Sequence, residues 1–452
     1  MKKYLLSILF AMFGIITYAQ NEPAITLTAK VEGKPLTLNF AVSEAGHKFK
    51  VDWGDGNLVE TEEIAVDDGW TTTTVTGIPL GEGKISVYGE KLVVLDCSYA
   101  ANDGTKLTAL DVTKATDLTK LTCNTHKITT LDVSKNVNLT ELVCSNNPIT
   151  SLDLSANTQL TSLDGTNMSL TEIDVTKNTA LKKLMLNDNQ IESIDLSANP
   201  ELNTLNINNN LLSEIDLSQN TALATVNIQS NKLSTLDLSM CDKLSVVFCN
   251  GNEITSLKVG SVKTRLNCSD NRLSLANLPL PGSKYFIYAP QKGMPVAQRI
   301  WPGETIDLSA QDNLTGLAAE AQKTTFVWKT GDTELQEGTD YTVENNVFTF
   351  LKAFDEPVYC EMATAAFPDF ADANIFKTEN VTVETEPELY LTLTAQVDGN
   401  ERNLTFASTT EANRIIVDWG DGKRVASEVI AMADEYGNRY TRRRGPHQNL
   451  RP

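Results

Sequence analysis

Histidine is scarce. Three occur in 452 residues, His47, His126 and His447, and no HExxH, GxSxG or GxxxxGK[ST] motif accompanies them. The zinc-protease pair, the serine nucleophile elbow and the phosphate-cradling loop are therefore absent as signals. Basic residues are few as well: 38 Lys and Arg stand against 58 Asp and Glu, a formal net charge of −20. Nucleic acid attracts clustered positive charge, so it is excluded as a partner. No CxxC pair points to zinc. Beyond the N-terminus, no apolar run approaches the roughly 18–20 residues that a membrane helix needs.

At the N-terminus Lys2 and Lys3 precede an apolar stretch over residues 4–16, and Thr17-Tyr18-Ala19 gives way to Gln20. That order predicts a secretory signal peptide, residues 1–19, cleaved after Ala19. The mature chain is then expected outside the cell or on its outer surface, without a transmembrane segment. Its length predicts several domains.

From Leu92 onward the sequence repeats. Lines starting at Leu118, Leu139, Leu160, Leu181, Leu202, Leu223 and Leu244 keep a 21-residue period, as in LTELVCSNNPITSLDLSANTQ at 139–159. A longer coil at Leu92 and a shortened one containing LNCSDNRL (266–273) bring the number to nine. The pattern L-x-x-L-x-C-x-x-N-x-I is identified as a leucine-rich repeat. It predicts a solenoid over 91–279, with a short parallel strand on the concave face of each coil and the LDLS segment on the convex side.

Cys97, Cys123, Cys144, Cys249 and Cys268 share one inward position with Gly165, Leu186, Ile207 and Ile228, so they read as apolar filler and free thiols. Asn147, Asn189, Asn210, Asn231, Asn252 and Asn271 share another position, interrupted by His126 and Met168. An Asn there can satisfy backbone groups of neighbouring turns, which makes His126 a substituted structural residue. Asp111, Asp132, Asp153, Asp174, Asp195, Asp216 and Asp237 form a third column, each two residues before Ser or Thr. Two readings stand: local capping of backbone N–H groups, or a row of weak calcium sites. No other cofactor or metal is expected.

The six residues VDWGDG occur twice, at 51–56 and 417–422, within a longer ungapped match of 27–41 to 393–407. Alternating apolar residues approach Trp53 or Trp419, and Gly-Asp-Gly supplies a tight hairpin. The motif resembles the W-x-F-G-D-G signature of PKD-type β-sandwiches, with the Phe missing. The resemblance implies PKD-like domains at 24–90 and, incompletely, at 389–440. Between 284 and 385 short β-rich runs begin with KYFIYA, and Trp328 precedes Tyr359-Cys360. That spacing predicts an immunoglobulin-like sandwich without the usual disulfide. Residues 441–452, rich in arginine, are expected to be a truncated or out-of-frame tail.

The expected whole is multidomain: a leucine-rich-repeat solenoid flanked by all-β sandwiches. Its order resembles that of bacterial internalin-type surface proteins, which implies an adhesin or receptor with a protein or glycan partner on another cell or matrix. Candidate contacts on the concave strands are Thr122, Asn124, Ser145, Asp164, Met185, Asn187, Asn206, Asn208, Asn227, Gln229, Asn250 and Asn267, with Tyr99 and Phe248 as aromatic anchors. A spacer that only displays another domain is the alternative. A glycan-acting enzyme is disfavoured, because the Asp column is too regular to single out an acid and a base.

Overall fold

The computed structural model describes residues 22–69, 71–98, 105–280 and 282–385, together with the backbone of 416–418 and 424–426. The expected signal peptide, Tyr99, most of 389–440 and the tail 441–452 lie outside the described residues. Two compact units are present, Met1–Glu386 and Pro387–Pro452. Among the described residues all regular structure is β, apart from three short 3-10 turns.

The repeats wind into a solenoid. In the coil of 139–159 the strand Glu141–Val143 points Leu142 inward between two half-exposed neighbours. It pairs in parallel with Lys120–Thr122 and with Ser162–Asp164, in register at Leu121, Leu142 and Leu163. Leu139, Leu142, Cys144, Ile149, Leu152 and Leu154 are all buried, and the next coil repeats the set from Leu160 to Val175. Burying each Leu or Ile is worth about 1.5–3 kcal/mol. Each coil's apolar set meets those before and after it, so no coil is enclosed alone. Nine parallel strands, from Leu92–Asp96 to Arg265–Asn267, span eight full turns. On the convex side Thr235–Leu238 pairs in parallel with Ser256–Val259.

Asn side chains inside the coils bond to backbone groups of neighbouring turns, although the buried side-chain oxygens of Asn136, Asn157, Asn178, Asn199 and Asn220 have no hydrogen-bond partner. Asn147 accepts the Ile128 N–H (3.1 Å) and donates to the Cys123 and Cys144 carbonyls (2.9 and 3.0 Å). His126 imitates this arrangement: its Nδ1 accepts the Leu107 N–H at 3.2 Å, and its Nε2 meets the Cys97 carbonyl at 2.5 Å. A further Asn column, Asn136, Asn157, Asn178, Asn199 and Asn220, is also fully buried. Asn178 donates to the carbonyls of Leu154 (3.0 Å) and Asn157 (2.8 Å) in the preceding coil. Cys241 takes the next place in that column and points its thiol at Leu217 and Asn220. All seven cysteines are free and buried.

In the coils from Leu118 onward, one residue turns the chain from the concave strand with positive φ. Asn146, Asn167, Asp188, Asn209 and Asp270 suit that conformation, whereas Thr125 (φ 67°) and Ser230 (φ 54°) do not.

The sheets run without a break across the expected boundary at 90/91. Leu92–Asp96 pairs antiparallel with Leu36–Val42 and parallel with Lys120–Thr122. Leu107–Asp111, from the first coil, pairs with Ile25–Ala29. The N-terminal segment thus covers the apolar end of the solenoid with its own core, in which Phe40 and Phe49 stack edge to face at 5.3 Å.

Its Trp-Gly-Asp-Gly hairpin forms as expected between Lys48–Asp52 and Leu58–Glu63. Asp52 Oδ1 accepts the Gly54 and Gly56 N–H groups at 2.8 and 3.0 Å. Both glycines have positive φ, and Trp53 is buried. In the second unit Ile416–Asp418 pairs antiparallel with Arg424–Ala426. Val417 faces Val425 and Asp418 faces Arg424. The first copy has the same register: Val51 faces Val59, and Asp52 faces Leu58.

At the other end the structure corrects one expectation. KYFIYA does not open the following sandwich: Tyr285–Ile287 adds to the repeat sheet, parallel to Arg265–Asn267. The cause is phase, since Phe286 and Tyr288 turn inward as Leu266 and Cys268 do. Tyr288 then packs against Phe367 and Phe370 at 5.5 and 5.2 Å. Beyond it, the sheet containing Thr324–Thr330 and Val358–Thr364 meets the sheet of Thr305–Asp307, Tyr341–Glu344 and Val347–Phe350. Trp328 stacks on Phe350 at their contact, with ring centroids 4.9 Å apart. Arg272 joins the repeats to this region through Glu253 and Glu379.

Candidate binding surface

From Lys120–Thr122 onward each concave strand is three residues long, so its first and third side chains face outward. Ser162, Lys183, Thr204 and Thr225 share one outward row, and Asp164, Met185, Asn206 and Asn227 share the next. The residue two beyond each strand adds a third row, in which Asn124, Ser145, Asn187, Asn208, Gln229 and Asn250 stand. No helix or loop among the described residues adds a strand between them, and the parallel order is continuous.

The sequence-based candidates are brought together, but not all are open. Ser145 and Asn208 are buried. Asn187 Oδ1 accepts from Thr166 Oγ1 at 2.8 Å and from Asn206 Nδ2 at 3.2 Å. Asn227 Nδ2 donates to Asn208 Oδ1 at 3.2 Å. Asp164 Oδ1 accepts the Thr166 N–H, and Asn267 Oδ1 accepts from Ser269 N–H and Oγ–H. These contacts set the side chains in fixed orientations along the stack. The side-chain oxygens of Asn206 and Asn250 have no hydrogen-bond partner. Thr122, Asn124, Met185 and Gln229 are half-buried. Tyr99 lies outside the described residues.

Toward the last coils the surface changes character. Phe248 is half-buried, and the Arg265 guanidinium lies 5.9 Å from its ring centre and 5.4 Å from that of Tyr285. The Lys284 ammonium is 5.2 Å from the Tyr285 ring. Tyr285 is 46% exposed and Ile287 is 40% exposed. Arg265, Lys284, Tyr285 and Ile287 are absent from the sequence-based list. Their signal was the inner-outer alternation itself, which continues through KYFIYA.

The Asp column stands on the convex side. Each carboxylate accepts the N–H of the Ser or Thr two residues on, as Asp153 does from Ser155 at 2.9 Å and Asp174 from Thr176 at 2.8 Å. The amide and hydroxyl of that residue hold Asp132, Asp153, Asp174, Asp195 and Asp216 below the ordinary carboxylate range. For Asp237, Ser239 and then Lys258 bring the value to about 2. Among the described residues no three His, Cys, Asp or Glu side chains converge as a metal site. Burial pushes the Cys249 and Cys360 thiols up to about 12 and lowers His126, so none of these is poised for acid–base work at neutral pH.

This geometry defines a leucine-rich-repeat β-solenoid. No family model and no curated protein matches the chain. Among solved structures, the functional domain of InlJ from Listeria monocytogenes, described as including a cysteine ladder, is 26% identical over 61% of this chain and 64% of that one, with a TM-score of 0.45. An internalin, InlF, from the same species is 18% identical over 40% of this chain and 58% of its own, at a TM-score of 0.35. YopM from Yersinia enterocolitica is 22% identical over 41% and 42%, also at 0.35. This chain spans less than two thirds of the length of each.

Proposed function

We propose that this chain is an exported binding protein of the adhesin or receptor type, which recognises a partner protein on another cell or matrix through the concave sheet. The observation that carries the reading is the continuous open sheet, with side chains fixed by hydrogen bonds along the stack and an exposed aromatic end. A surface whose polar groups are already oriented loses little side-chain entropy on binding. In this reading residues 24–90 and 389–440 are PKD-like domains, and the sandwich that follows KYFIYA, up to residue 385, is an immunoglobulin-like domain. The shared hairpin register and the two sheets joined at Trp328 support those assignments. One observation favours the spacer alternative: Ser145 and Asn208 are turned to the protein rather than to solvent.

The test is an array of extracellular proteins and glycans probed with the mature chain. A specific protein partner is expected, held about tenfold more weakly by Met185→Arg on the concave face and equally well by Asp153→Arg on the convex face. Absence of any partner, or a partner indifferent to Met185→Arg, would leave the spacer.

A further inference from the structure

The charge of the chain is unevenly placed. Across residues 254–303 there are seven Lys and Arg and a single acidic residue, Asp270, in a chain of net charge −20. Four of those cations are engaged: Lys258 with Asp237, Arg272 with Glu253 and Glu379, Lys292 with Glu253, and Arg299 with Glu384. Lys263, Arg265 and Lys284 make no ion pair among the described residues. Two of these, Arg265 and Lys284, stand at the concave face beside aromatic rings.

Arg265 is exposed, and its guanidinium is held near the rings of both Phe248 and Tyr285. The strand positions of these last coils carry no carboxylate: Val246, Phe248, Arg265, Asn267, Tyr285 and Ile287 occupy them. The result is a cationic centre edged by exposed apolar surface.

We propose that this end of the concave sheet is the docking site for an acidic polypeptide segment, extended and carrying an aromatic or aliphatic side chain among its carboxylates. This rests on the reading of the concave sheet as the binding face and names the chemistry of what it takes. A carboxylate forks onto Arg265, a second is held by Lys284, and the apolar side chain covers Tyr285 and Ile287. Three adjacent strands at about 4.8 Å spacing give roughly 10 Å of surface, the length of about three extended residues. A sulfated or uronate glycan satisfies the cations but has nothing apolar to place on Ile287, so the exposed apolar pair favours a peptide.

The full mature chain is titrated with a short synthetic peptide in which Asp and Glu alternate with Leu and Phe. Its Asn/Gln counterpart, its Ala-for-Leu/Phe counterpart and heparin oligosaccharides serve as comparisons. The acidic apolar peptide is expected to bind at least about tenfold more tightly than either altered peptide, more weakly as salt rises. Arg265→Glu and Lys284→Glu abolish that binding, whereas Asp153→Arg on the convex face leaves it intact. Equal binding by Arg265→Glu, by the amide peptide or by heparin overturns the proposal. A partner found on the array that is lost with Met185→Arg but not with Arg265→Glu sinks this docking site and leaves the concave-face function standing. Peptide binding lost with Arg265→Glu, beside array partners indifferent to Met185→Arg, does the reverse.

Discussion

Met168 occupies space that Gly165 leaves open. A Cβ added at Gly165 would lie 3.3 Å from the Met168 sulfur and 3.2 Å from Leu186 Cδ2. In the other coils between Leu118 and Asn271 the first position holds Cys, Leu or Ile, and the second holds Asn or His. The two departures from the repeat therefore compensate each other within one coil. Met168 also receives the Cys144 thiol at 3.9 Å, while offering no oxygen to the backbone.

A double-mutant cycle checks this compensation. Gly165→Cys alone forces sulfur against sulfur and should cost about 1–3 kcal/mol. Met168→Asn alone leaves a hole beside Gly165 and should cost a similar amount, about 1–3 kcal/mol. The double variant rebuilds the regular coil and gives Ile149 N–H an acceptor, so it should recover most of the loss. Urea unfolding should show about 1–2 kcal/mol of favourable coupling. Additive losses would mean that the two sites are independent.

Thr125 is the β-branched residue in the left-handed turn that Asn or Asp makes in other coils. Thr125→Asn should raise stability by up to about 1 kcal/mol, because Asn tolerates that conformation and Thr does not. The gain is offset in part by the loss of the contact from Asn124 Nδ2 to Thr125 Oγ1 at 3.1 Å. A lowered melting temperature would show that this contact outweighs the backbone strain.

Stability should fall with acid in two steps. Burial lowers the His126 pKa from its ordinary 6.5, so below about that pH the unfolded chain takes up a proton that the folded chain refuses. Stability declines as pH falls from there. The convex carboxylates are held below their ordinary 3.8, so their contribution is complete above that value and is lost as pH drops further, with Asp237 protonating near 2. His126→Asn should erase the first step and keep the second, as read by melting temperature against pH. Persistence of the first step in that variant would assign it elsewhere.

The repeats were legible because each coil solves the same packing problem, so an inward Leu, an Asn and an Asp recur at fixed spacing. The hairpin was legible for a different reason: Gly-Asp-Gly after an alternating strand permits little else. The column at Asn136, Asn157 and Asn178 keeps the 21-residue period, but its role does not show in the sequence. An Asn between small residues in a turn reads as surface until the wall of the next coil covers it. The aromatic end of the site was only half legible. Strand spacing shrinks from 21 residues to 19 between Val246 and Arg265, and to 20 between Arg265 and Tyr285. Phe248 lies before that slip, and Tyr285 and Ile287 lie after it. Polar candidates such as Asn208 were correctly placed on the face, yet composition does not reveal that neighbours in the stack would take up their hydrogen bonds.

All seven thiols should be silent toward a disulfide reagent in the native state. Each cysteine is free and buried, and burial raises the thiol pKa at Cys97, Cys123 and Cys144, so little thiolate forms at neutral pH. Addition of denaturant should release seven equivalents. Rapid native labelling of Cys123 or Cys144, or fewer than seven after unfolding, would contradict the packed column.

Gly77 carries a steric requirement set by the Trp of the hairpin. A Cβ at this position would stand 2.1 Å from Trp53 Cε2, and the indole is itself buried. Gly77→Ala should therefore cost about 3 kcal/mol, since either the ring or the strand Thr73–Gly77 must shift. Gly56, on the same hairpin, has positive φ but open space around its Cβ site. Gly56→Ala should cost only about 1 kcal/mol, from backbone strain alone. Pairing Gly77→Ala with Trp53→Leu removes the obstructing ring and should return part of the loss. Equal destabilisation by the two glycine variants, measured by chemical unfolding, would show that backbone conformation rather than the Trp53 contact governs both.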